Sequence, residues 1–431
     1  MISKKKSLIV YELNEVPKKV LDYYISKRPK SNLSNLCKTG LFKETFTNDV
    51  GELHPWSTWP SVHRGVNNEI HSINFLNQDK SCAKSYPPIW EVLEKYGISI
   101  GIFGSLQTFP PYITDNVDFF VPDTFAPEPT SFPHELELFQ KFNLSMARSH
   151  KAFAGKIKII DLINISKIIK KGLITKSTII YITKHLIKEI FDSRYKKRRP
   201  NIQTILAFDA YKKFLRKCNP EYSTFFTNHI AANMHRYWLH TFPEDFDLAT
   251  KKNIRDKKFN SLNIIKAMDI ADKQIGHLMK FQESRGGSLW IVSGFGQEAI
   301  TREEFKYELY LENEEKFLEA IQLDKNNYEF IPSMYPDINI KCKNMDMLLL
   351  LLEKVQSLKD EKGSKIIRQR YRRQGNTLNL IIESDKYMDN DKFLFINKKP
   401  LKLEEIGFKL ISRDNGTGYH FKEGIFLSNK N

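Results

Sequence analysis

Short apolar runs, rich in β-branched and aromatic side chains, recur along the chain with segments of helical periodicity between them. Runs of this kind with little polar alternation predict strands that are buried on both faces of a parallel sheet. The runs are Ser7–Leu13, Ile98–Phe103, Thr224–Thr227 and Ser288–Ser293, and the first helical segments are Val16–Lys27 and Ile89–Tyr96, the latter ended by Gly97. This alternation predicts an α/β fold with a doubly wound, mostly parallel sheet between helices.

Polar and glycine-rich residues follow each predicted strand. In sheets of this kind, ligands bind beyond the carboxyl ends of the strands. The residues at these ends are Glu12, Asn14, Gly104–Gln107, Asn228, His229 and Ser293–Gln297. The sequence therefore predicts a ligand site at this edge of the sheet.

Two regions interrupt the predicted core. Residues 146–215 alternate Ile, Leu and Lys at helical spacing, which predicts a basic helical insertion that caps the core. Residues 301–410 contain the predicted helices Glu314–Gln322 and Asp346–Leu358, and they are expected to form a smaller α/β insertion. The core is then made from residues 1–145, 216–300 and 411–431, and its last part has a predicted tight turn ahead of His420.

The positive charge of the chain is concentrated in one segment. The formal net charge is +16, and residues 151–200 hold 14 Lys and Arg against three acidic residues, a net +11. This distribution argues against a protein built to bind nucleic acid. Two interpretations of the segment stay open: the solvated face of a helical cap, or a surface that rests on anionic lipid headgroups or an anionic glycan.

Cysteine usage and hydropathy predict a cytoplasmic protein. Cys37, Cys82, Cys218 and Cys342 lie far apart, which favours neither a disulfide framework nor a zinc knuckle. The N-terminal segment lacks a signal-peptide pattern, and no run of about 18 uncharged apolar residues occurs. We expect a cytoplasmic location, with the basic segment 151–200 as the candidate for peripheral contact with the inner face of the membrane.

The most informative stretch surrounds Thr58. Pro60, close behind a hydroxyl residue, predicts that a helix begins here. Thr58 is then either a plain N-cap or a hydroxyl that faces the free N–H groups which stabilise a bound anion. Three histidines of this stretch, His54, His63 and His71, share no metal-ligand spacing, so solvent-facing or capping roles are expected.

The order of motifs resembles the type I phosphodiesterase and nucleotide pyrophosphatase branch of the alkaline phosphatase superfamily. The nucleophile segment of that branch is similar to STWPSVHRGVNNEIHSI (57–73). Further similar segments, in the expected order, are IWEVLEKYGISIGIFGS (89–105), VPDTFAP (121–127), TNHIAANMHRYW (227–238), LWIVSGFG (289–296) and GTGYHFKEGIFLSNKN (416–431). The resemblance covers about half of the chain and implies the corresponding fold, with Thr58 in the position of the nucleophile.

Departures from the family pattern remove half of the implied metal ligands. The resemblance aligns Glu12 with the first acidic ligand, but Ala231, Gly294 and Phe295 stand where the family has Asp, Asp and His. The residues that survive are Glu12, Thr58, His235 and His420. The two-metal clamp that such enzymes use cannot be assembled here as in the family.

Two site hypotheses remain. In the first, His229, His235 and His420 hold one divalent metal, zinc or manganese, with an open fourth position. In the second, no metal binds, His229 and His235 are hydrogen-bonded pocket residues, and Glu12 or a histidine is the general base for Thr58. In both, the candidate substrate-binding residues are Asn14, Arg64, Gln107, Asn228, Arg236 and Gln297.

The sequence supports two functions of different class. The first is a divergent enzyme that hydrolyses or transfers a phosphate- or sulfate-like group on an anionic small molecule or glycan, such as a bacterial surface polysaccharide or its precursor. The second is a non-catalytic, metal-free relative that binds an anionic glycan or a partner enzyme. Metal binding at the histidines and the need for Thr58 in turnover distinguish the two.

Overall fold

The computed structural model describes residues 7–148, 166–247, 256–301, 307–383, 393–412 and 416–430. Parts of the expected insertions 146–215 and 301–410, and residues 151–165 of the basic segment, lie outside the described residues. By contact density the chain divides into two units, one formed by residues 1–71, 86–301 and 416–431 and the other by residues 72–85 and 302–415.

The strands occur along the whole chain. They are β1 (Leu8–Leu13), β2 (Leu41–Phe46), β3 (Ile100–Phe103), β4 (Val117–Val121), β5 (Tyr222–Thr227), β6 (Ser288–Ser293), β7 (Gly296–Ala299), β8 (Tyr307–Leu311), β9 (Tyr328–Ile331), β10 (Asp337–Cys342), β11 (Leu358–Lys359), β12 (Ile367–Gln369), β13 (Thr377–Ile382), β14 (Phe393–Ile396), β15 (Lys399–Lys402), β16 (Phe408–Ser412), β17 (Gly418–Phe421) and β18 (Glu423–Ser428).

Helices connect most of these strands in the first unit. The α-helices are α1 (Lys18–Lys27), α2 (Asn32–Thr39), α3 (Pro55–Arg64), α4 (Asn68–His71), α5 (Ile89–Glu94), α6 (Glu137–Arg148), α7 (Lys176–Phe191), α8 (Pro200–Cys218), α9 (His229–Thr241), α10 (Lys257–Asn260), α11 (Asn263–Arg285), α12 (Glu314–Ala320) and α13 (Met345–Gln356). No helix among the described residues is long and apolar enough to cross a membrane.

The first unit is built on a seven-stranded sheet in the order β2-β18-β6-β1-β5-β3-β4. Strand β1 pairs in parallel with both β5 and β6, and β3 pairs in parallel with β4 and β5. At the other edge, β18 is antiparallel to β6 and to β2. The predicted α/β fold with a mostly parallel sheet is therefore confirmed, and the four predicted strands correspond to β1, β3, β5 and β6.

The two faces of β1 contact different parts of the first unit. Ile9, Tyr11 and Leu13 belong to the larger apolar core, whereas Val10 joins a second core on the opposite face with Trp90. Because side chains alternate along a strand, Glu12 and Asn14 share the face of Val10. Both of these polar residues are almost fully buried.

Helix α3 binds these two polar side chains. His63 Nε2 lies 2.8 Å from Glu12 Oε1, and Trp59 Nε1 donates to Asn14 Oδ1 at 2.7 Å. Alternate residues of a strand are about 6.6 Å apart, close to the rise of about 6 Å over four helical residues. This match of repeats lets α3 bind the carboxyl end of β1 through two successive contacts.

The start of α3 corrects the sequence prediction. The helix begins at Pro55 rather than near Pro60, with His54 as the N-cap, and the Thr58 N–H donates to the His54 carbonyl. Pro60 lies inside the helix and cannot donate to the carbonyl of Trp56. Gln107 Nε2 donates to that carbonyl instead, at 3.2 Å.

The second unit has its own sheets and its own core. Four strands are ordered β12-β13-β10-β9 with antiparallel pairing, and β11-β14-β15 and β16-β8 form smaller sheets. Helices α12 and α13 contribute buried apolar residues to this core, among them Phe317, Leu348 and Leu351. The predicted helices of this region correspond to α12 and α13.

Candidate metal centre

Glu15 is the acidic residue around which the site is built, and it follows β1 directly. Its backbone is in the left-handed region, with φ of 60°. A residue other than glycine rarely adopts this conformation, and such strain is concentrated at functional sites. Two amides fix the carboxylate: Asn14 Nδ2 donates to Oε1 at 2.7 Å, and Gln297 Nε2 donates to Oε2 at 2.5 Å.

His235 comes to Glu15 from the middle of helix α9. Its Nε2 lies 3.0 Å from Glu15 Oε2, and its Nδ1 lies 2.9 Å from the carbonyl oxygen of Gly418. A carbonyl oxygen only accepts hydrogen bonds, so Nδ1 carries a proton. Nε2 faces the Glu15 carboxylate and donates to it when protonated, and loss of that proton would make its lone pair available to a metal ion.

His420 completes the group from strand β17. Residues 420 and 297 are directly opposed in the antiparallel pair β17–β7, so His420 and Gln297 share one face. His420 Nε2 lies 3.5 Å from Glu15 Oε2, and the His420 and His235 rings are 5.2 Å apart between centroids. The three potential ligand atoms all lie within 4.8 Å of one another.

The electrostatics of the cluster favour an ionised carboxylate. Burial opposes ionisation of Glu15, but the neighbouring His420 and His235, with hydrogen bonds from His235 and Gln297, outweigh it and lower the Glu15 pKa to about 2. Burial lowers the pKa of His420. The side chain of His235 is 33% exposed against 2% for Glu15, so solvent reaches the cluster beside His235.

The donor set fits a divalent metal ion. One carboxylate and two imidazole Nε2 atoms are a ligand combination that zinc uses in catalytic sites, with the fourth position left for water or substrate. The Gly418 carbonyl behind His235 and the two amides behind Glu15 are the outer contacts that orient such ligands.

His229 does not lie in this cluster. Its Nε2 is 2.9 Å from the Ala267 carbonyl oxygen and its Nδ1 is 2.6 Å from Thr227 Oγ1, so both ring nitrogens are engaged. Burial lowers the His229 pKa to about 4, which keeps the ring neutral. The proposed three-histidine site is therefore corrected: Glu15 takes the third position.

Glu12 and Thr58, the two predicted catalytic residues, lie on the α3 side of β1. Glu12 Oε1 contacts His63, while Glu12 Oε2 has no hydrogen-bond partner among the described residues. The hydroxyl of Thr58 is likewise buried without a partner in that part of the chain. A Cβ at Gly294 would lie 3.6 Å from the Thr58 methyl group, which places Thr58 beside the end of β6.

The predicted substrate-binding amides divide into two groups. Asn14 Nδ2 donates to Asn228 Oδ1 at 2.7 Å as well as to Glu15, so Asn14, Asn228 and Gln297 belong to the cluster. Asn228 is exposed beyond the end of β5. Gln107, whose φ is also positive, is not part of the cluster, because its Nε2 donates to the Trp56 carbonyl of helix α3.

The two predicted arginines have different positions. Arg64 lies in the last turn of α3, and its Nη1 donates to the Tyr86 carbonyl. Arg236 follows His235 directly on α9 and is half-buried. Only Arg236 is adjacent in sequence to a residue of the cluster.

Sequence reasoning missed two residues that contact the predicted ones. The first is Glu15, because the resemblance aligned the acidic ligand with Glu12, three residues earlier. The signal for Glu15 was a second acidic residue at the same strand end. The second is His63, the partner of Glu12, for which no signal existed in the sequence spacing.

Comparison with known proteins gave structural matches only. No family model matches the chain, and no curated protein matches it in sequence. Among solved structures, the chain is similar to phosphonoacetate hydrolase from Sinorhizobium meliloti 1021 in complex with phosphonoformate, with 11% identity, 99% of this chain and 90% of that chain covered, and a TM-score of 0.43. It is also similar to murine ectonucleotide pyrophosphatase/phosphodiesterase 5, with 10% identity, 99% and 88% covered, and a TM-score of 0.37. The human protein of that name has 12% identity, 98% and 87% covered, and a TM-score of 0.38.

All three TM-scores are below 0.5 and all identities are below 25%. The chemistry of this chain therefore rests on its own residues.

Proposed function

We propose that this chain is an enzyme that hydrolyses or transfers a phosphate- or sulfate-like group at a single divalent metal ion. The observation that supports this most strongly is the cluster of Glu15, His235 and His420, whose ligand atoms lie within 4.8 Å of one another. Zinc or manganese, when bound there, supplies Lewis-acid stabilisation of negative charge on the transferred group. Glu15, His235 and His420 hold the ion.

Thr58 is the proposed nucleophile. Its oxygen forms a bond to the phosphorus or sulfur atom, the bond to the leaving oxygen breaks, and water or an acceptor hydroxyl later takes the group from Thr58. The Thr58 proton passes to a base, for which we propose Glu12, because its Oε2 is buried without a partner among the described residues. A buried hydroxyl without a hydrogen-bond partner lowers the stability of the folded state by about 1–3 kcal/mol. A role in catalysis would explain why Thr58 is retained at this cost.

The substrate is proposed to be an anionic, phosphorylated or sulfated small molecule or glycan. Asn228, exposed beyond the end of β5, and Arg236, which follows His235 on α9, offer an amide and a cationic group. Amides suit sugar hydroxyls, and a guanidinium suits an anionic oxygen. A role in modifying a bacterial surface polysaccharide or its precursor is the biological setting that we propose.

The test of this function is turnover by hydroxyl variants. Ser57 is the matched control, because its hydroxyl donates to the His54 carbonyl and neighbours Thr58 on α3. With aryl phosphate, phosphodiester and sulfate substrates in the presence of zinc or manganese, Thr58→Ala should lose at least about 100-fold in kcat, and Ser57→Ala only a few-fold. Equal turnover by both variants would remove Thr58 from the proposal.

We also propose that the basic segment contacts anionic membrane at the inner face. On helix α7, Ile190 is 81% exposed and Phe191 is 86% exposed, with Ile180 and Ile187 on the same side of the helix. Lys184 and Lys188 lie among these residues and are exposed. An exposed apolar stripe with flanking lysines is typical of helices that lie in the interface of an anionic bilayer.

Liposome flotation tests the membrane contact. We expect the protein to float with vesicles that contain anionic lipid and not with neutral vesicles. The double variant Ile190→Ser, Phe191→Ser should lose most of the floated fraction. The control is Tyr96→Ser, which changes an 80% exposed aromatic residue outside the basic segment and should float like the wild type. Equal recovery with neutral and anionic vesicles would remove the electrostatic part of the proposal, and no recovery with either would argue for a solvated cap.

A further inference from the structure

Thr417 contacts two backbone groups of α9 that pair with each other in a regular helix. The Thr417 N–H donates to the His235 carbonyl at 2.7 Å, and the Leu239 N–H donates to Thr417 Oγ1 at 3.0 Å. In a regular α-helix the N–H of residue 239 would donate to the carbonyl of residue 235. Tyr237, between them, has non-helical φ of −123° and ψ of 17°. A side chain inserted into the helical hydrogen bonds is a known cause of such a kink.

The same short segment holds the His235 ring. The Gly418 carbonyl accepts from His235 Nδ1, which leaves Nε2 directed at Glu15. The Thr417 carbonyl accepts from the Ile300 N–H at 3.0 Å, which ties the segment to the end of β7. The backbone and the ring of His235 are thus fixed by two consecutive residues of one anchored segment.

The close approach of this segment to α9 needs glycine. A Cβ at Gly418 would lie 2.6 Å from the Met234 carbonyl oxygen and 2.7 Å from Gln297 Oε1. Both distances are far below van der Waals contact, so a side chain here would push the segment away from α9. The segment Gly416–Thr417–Gly418 therefore packs closely against α9, and Thr417 makes its polar contacts with that helix.

We propose that Thr417 is a positioning residue for the metal centre: by inserting into α9 it holds the His235 ring with Nδ1 against the Gly418 carbonyl and Nε2 facing Glu15. Without the Thr417 hydroxyl, the Leu239 N–H pairs with the His235 carbonyl, displaces the Thr417 N–H, and moves the Gly418 carbonyl away from the ring. The inference rests on the proposed metal function, because the ligand that Thr417 orients belongs to that centre.

The experiment uses the full chain and two readouts. Thr417→Val keeps the shape but loses the accepting oxygen, and Thr417→Ser keeps the oxygen. Thr241→Val is the matched control, since the Thr241 hydroxyl bonds the Tyr237 carbonyl in the same helix without contacting His235. The first readout is the protection of the His235 Nδ1–H from solvent exchange in metal-free protein, from 15N NMR of histidine-labelled samples. The second is zinc affinity from competition with a chromogenic chelator.

We expect Thr417→Val to lose the solvent-exchange protection of the His235 Nδ1–H and to bind zinc about tenfold more weakly, as loss of an outer contact to a ligand does. Thr417→Ser and Thr241→Val should retain both properties. If circular dichroism shows that Thr417→Val is unfolded, Thr417→Ala, which cannot clash, replaces it with the same expectations.

The outcomes separate this inference from the proposed function. Retention of both the Nδ1–H protection and the zinc affinity in Thr417→Val would overturn the positioning role and leave the metal centre intact. If the wild-type protein binds no zinc, the proposed function fails, and the Nδ1–H measurement alone decides whether Thr417 orients His235.

Discussion

The start and the middle of helix α9 present histidines with opposite roles. His229, at its first residue, has both ring nitrogens engaged by Thr227 and Ala267, whereas His235 has one nitrogen fixed by Gly418 and the other facing Glu15. Six helical residues correspond to a rotation that leaves the two side chains about 120° apart. A histidine on this helix is therefore not a metal-ligand candidate because of its residue type or its position in the sequence alone. It is a candidate when one of its ring nitrogens faces the carboxylate of the cluster, as in His235.

The carboxylates of β1 show the same difference. Glu12 and Glu15 are both buried, but Glu12 faces a histidine of α3, and Glu15 faces the two histidines of the cluster. The change of direction comes from the left-handed backbone of Glu15, which ends the strand alternation. One strand end thus supplies two acidic groups that have different histidine partners.

The largest expected effect on zinc affinity comes from replacing each of the two histidines of α9 in turn. His235→Ala removes a metal ligand, so zinc affinity should fall by more than the roughly 10–100-fold that outer contacts cost. His229→Gln should leave zinc affinity within about threefold, because His229 does not contact the cluster. Competition with a chromogenic chelator measures both, and equal losses would mean that the two histidines share one site.

The pH dependence of the free energy of unfolding tests whether His229 is buried in its neutral form. Its folded-state pKa of about 4 is below the ordinary value of 6.5, so the unfolded state takes up the proton first as pH falls. The stability due to neutral His229 is fully present above pH 6.5 and is lost between pH 6.5 and 4, with a total of about 3 kcal/mol.

Urea unfolding of the wild type and His229→Gln at several pH values tests this expectation. The difference in unfolding free energy between the two should shrink as pH falls from 7 to 4, while groups common to both proteins cancel. A difference that is constant over this range would show that His229 titrates normally.

A smaller effect separates the two glutamines at strand ends. Gln297→Leu should weaken zinc binding by about tenfold, because Glu15 Oε2 loses its amide donor. Gln107→Leu should leave zinc affinity unchanged and lower the free energy of unfolding by about 1–2 kcal/mol, because the Trp56 carbonyl loses a donor inside the helix that contains Pro60. Chelator competition and urea unfolding on both variants distinguish these outcomes.

The sequence predicted the local elements of the core better than its edges. The run that forms β1 is buried along almost all of its length and has a clear pattern. The pairing of β2 with β18, by contrast, joins segments from opposite ends of the chain and leaves no periodic signal. The start of α3 was misplaced because two prolines, Pro55 and Pro60, both fit a first helical turn, and only packing selects between them.

The site was predictable in its location and in part of its composition. Residues Asn14, His235, Gln297 and His420 were identified from strand ends and motif order, and the structure brings them together. His229 was predicted as a ligand where the structure has Glu15. The partners of the His229 ring nitrogens and the left-handed backbone of Glu15 depend on tertiary contacts, so residue spacing in the sequence does not predict them.

The central claim is that Glu15, His235 and His420 hold one divalent metal ion. Its most direct test is elemental analysis after incubation with zinc or manganese and gel filtration, on the wild type and on the double variant Glu15→Gln, His420→Ala. The account predicts about one metal ion per chain in the wild type and almost none in the double variant. A wild type without metal, or a double variant that retains it, would contradict the account.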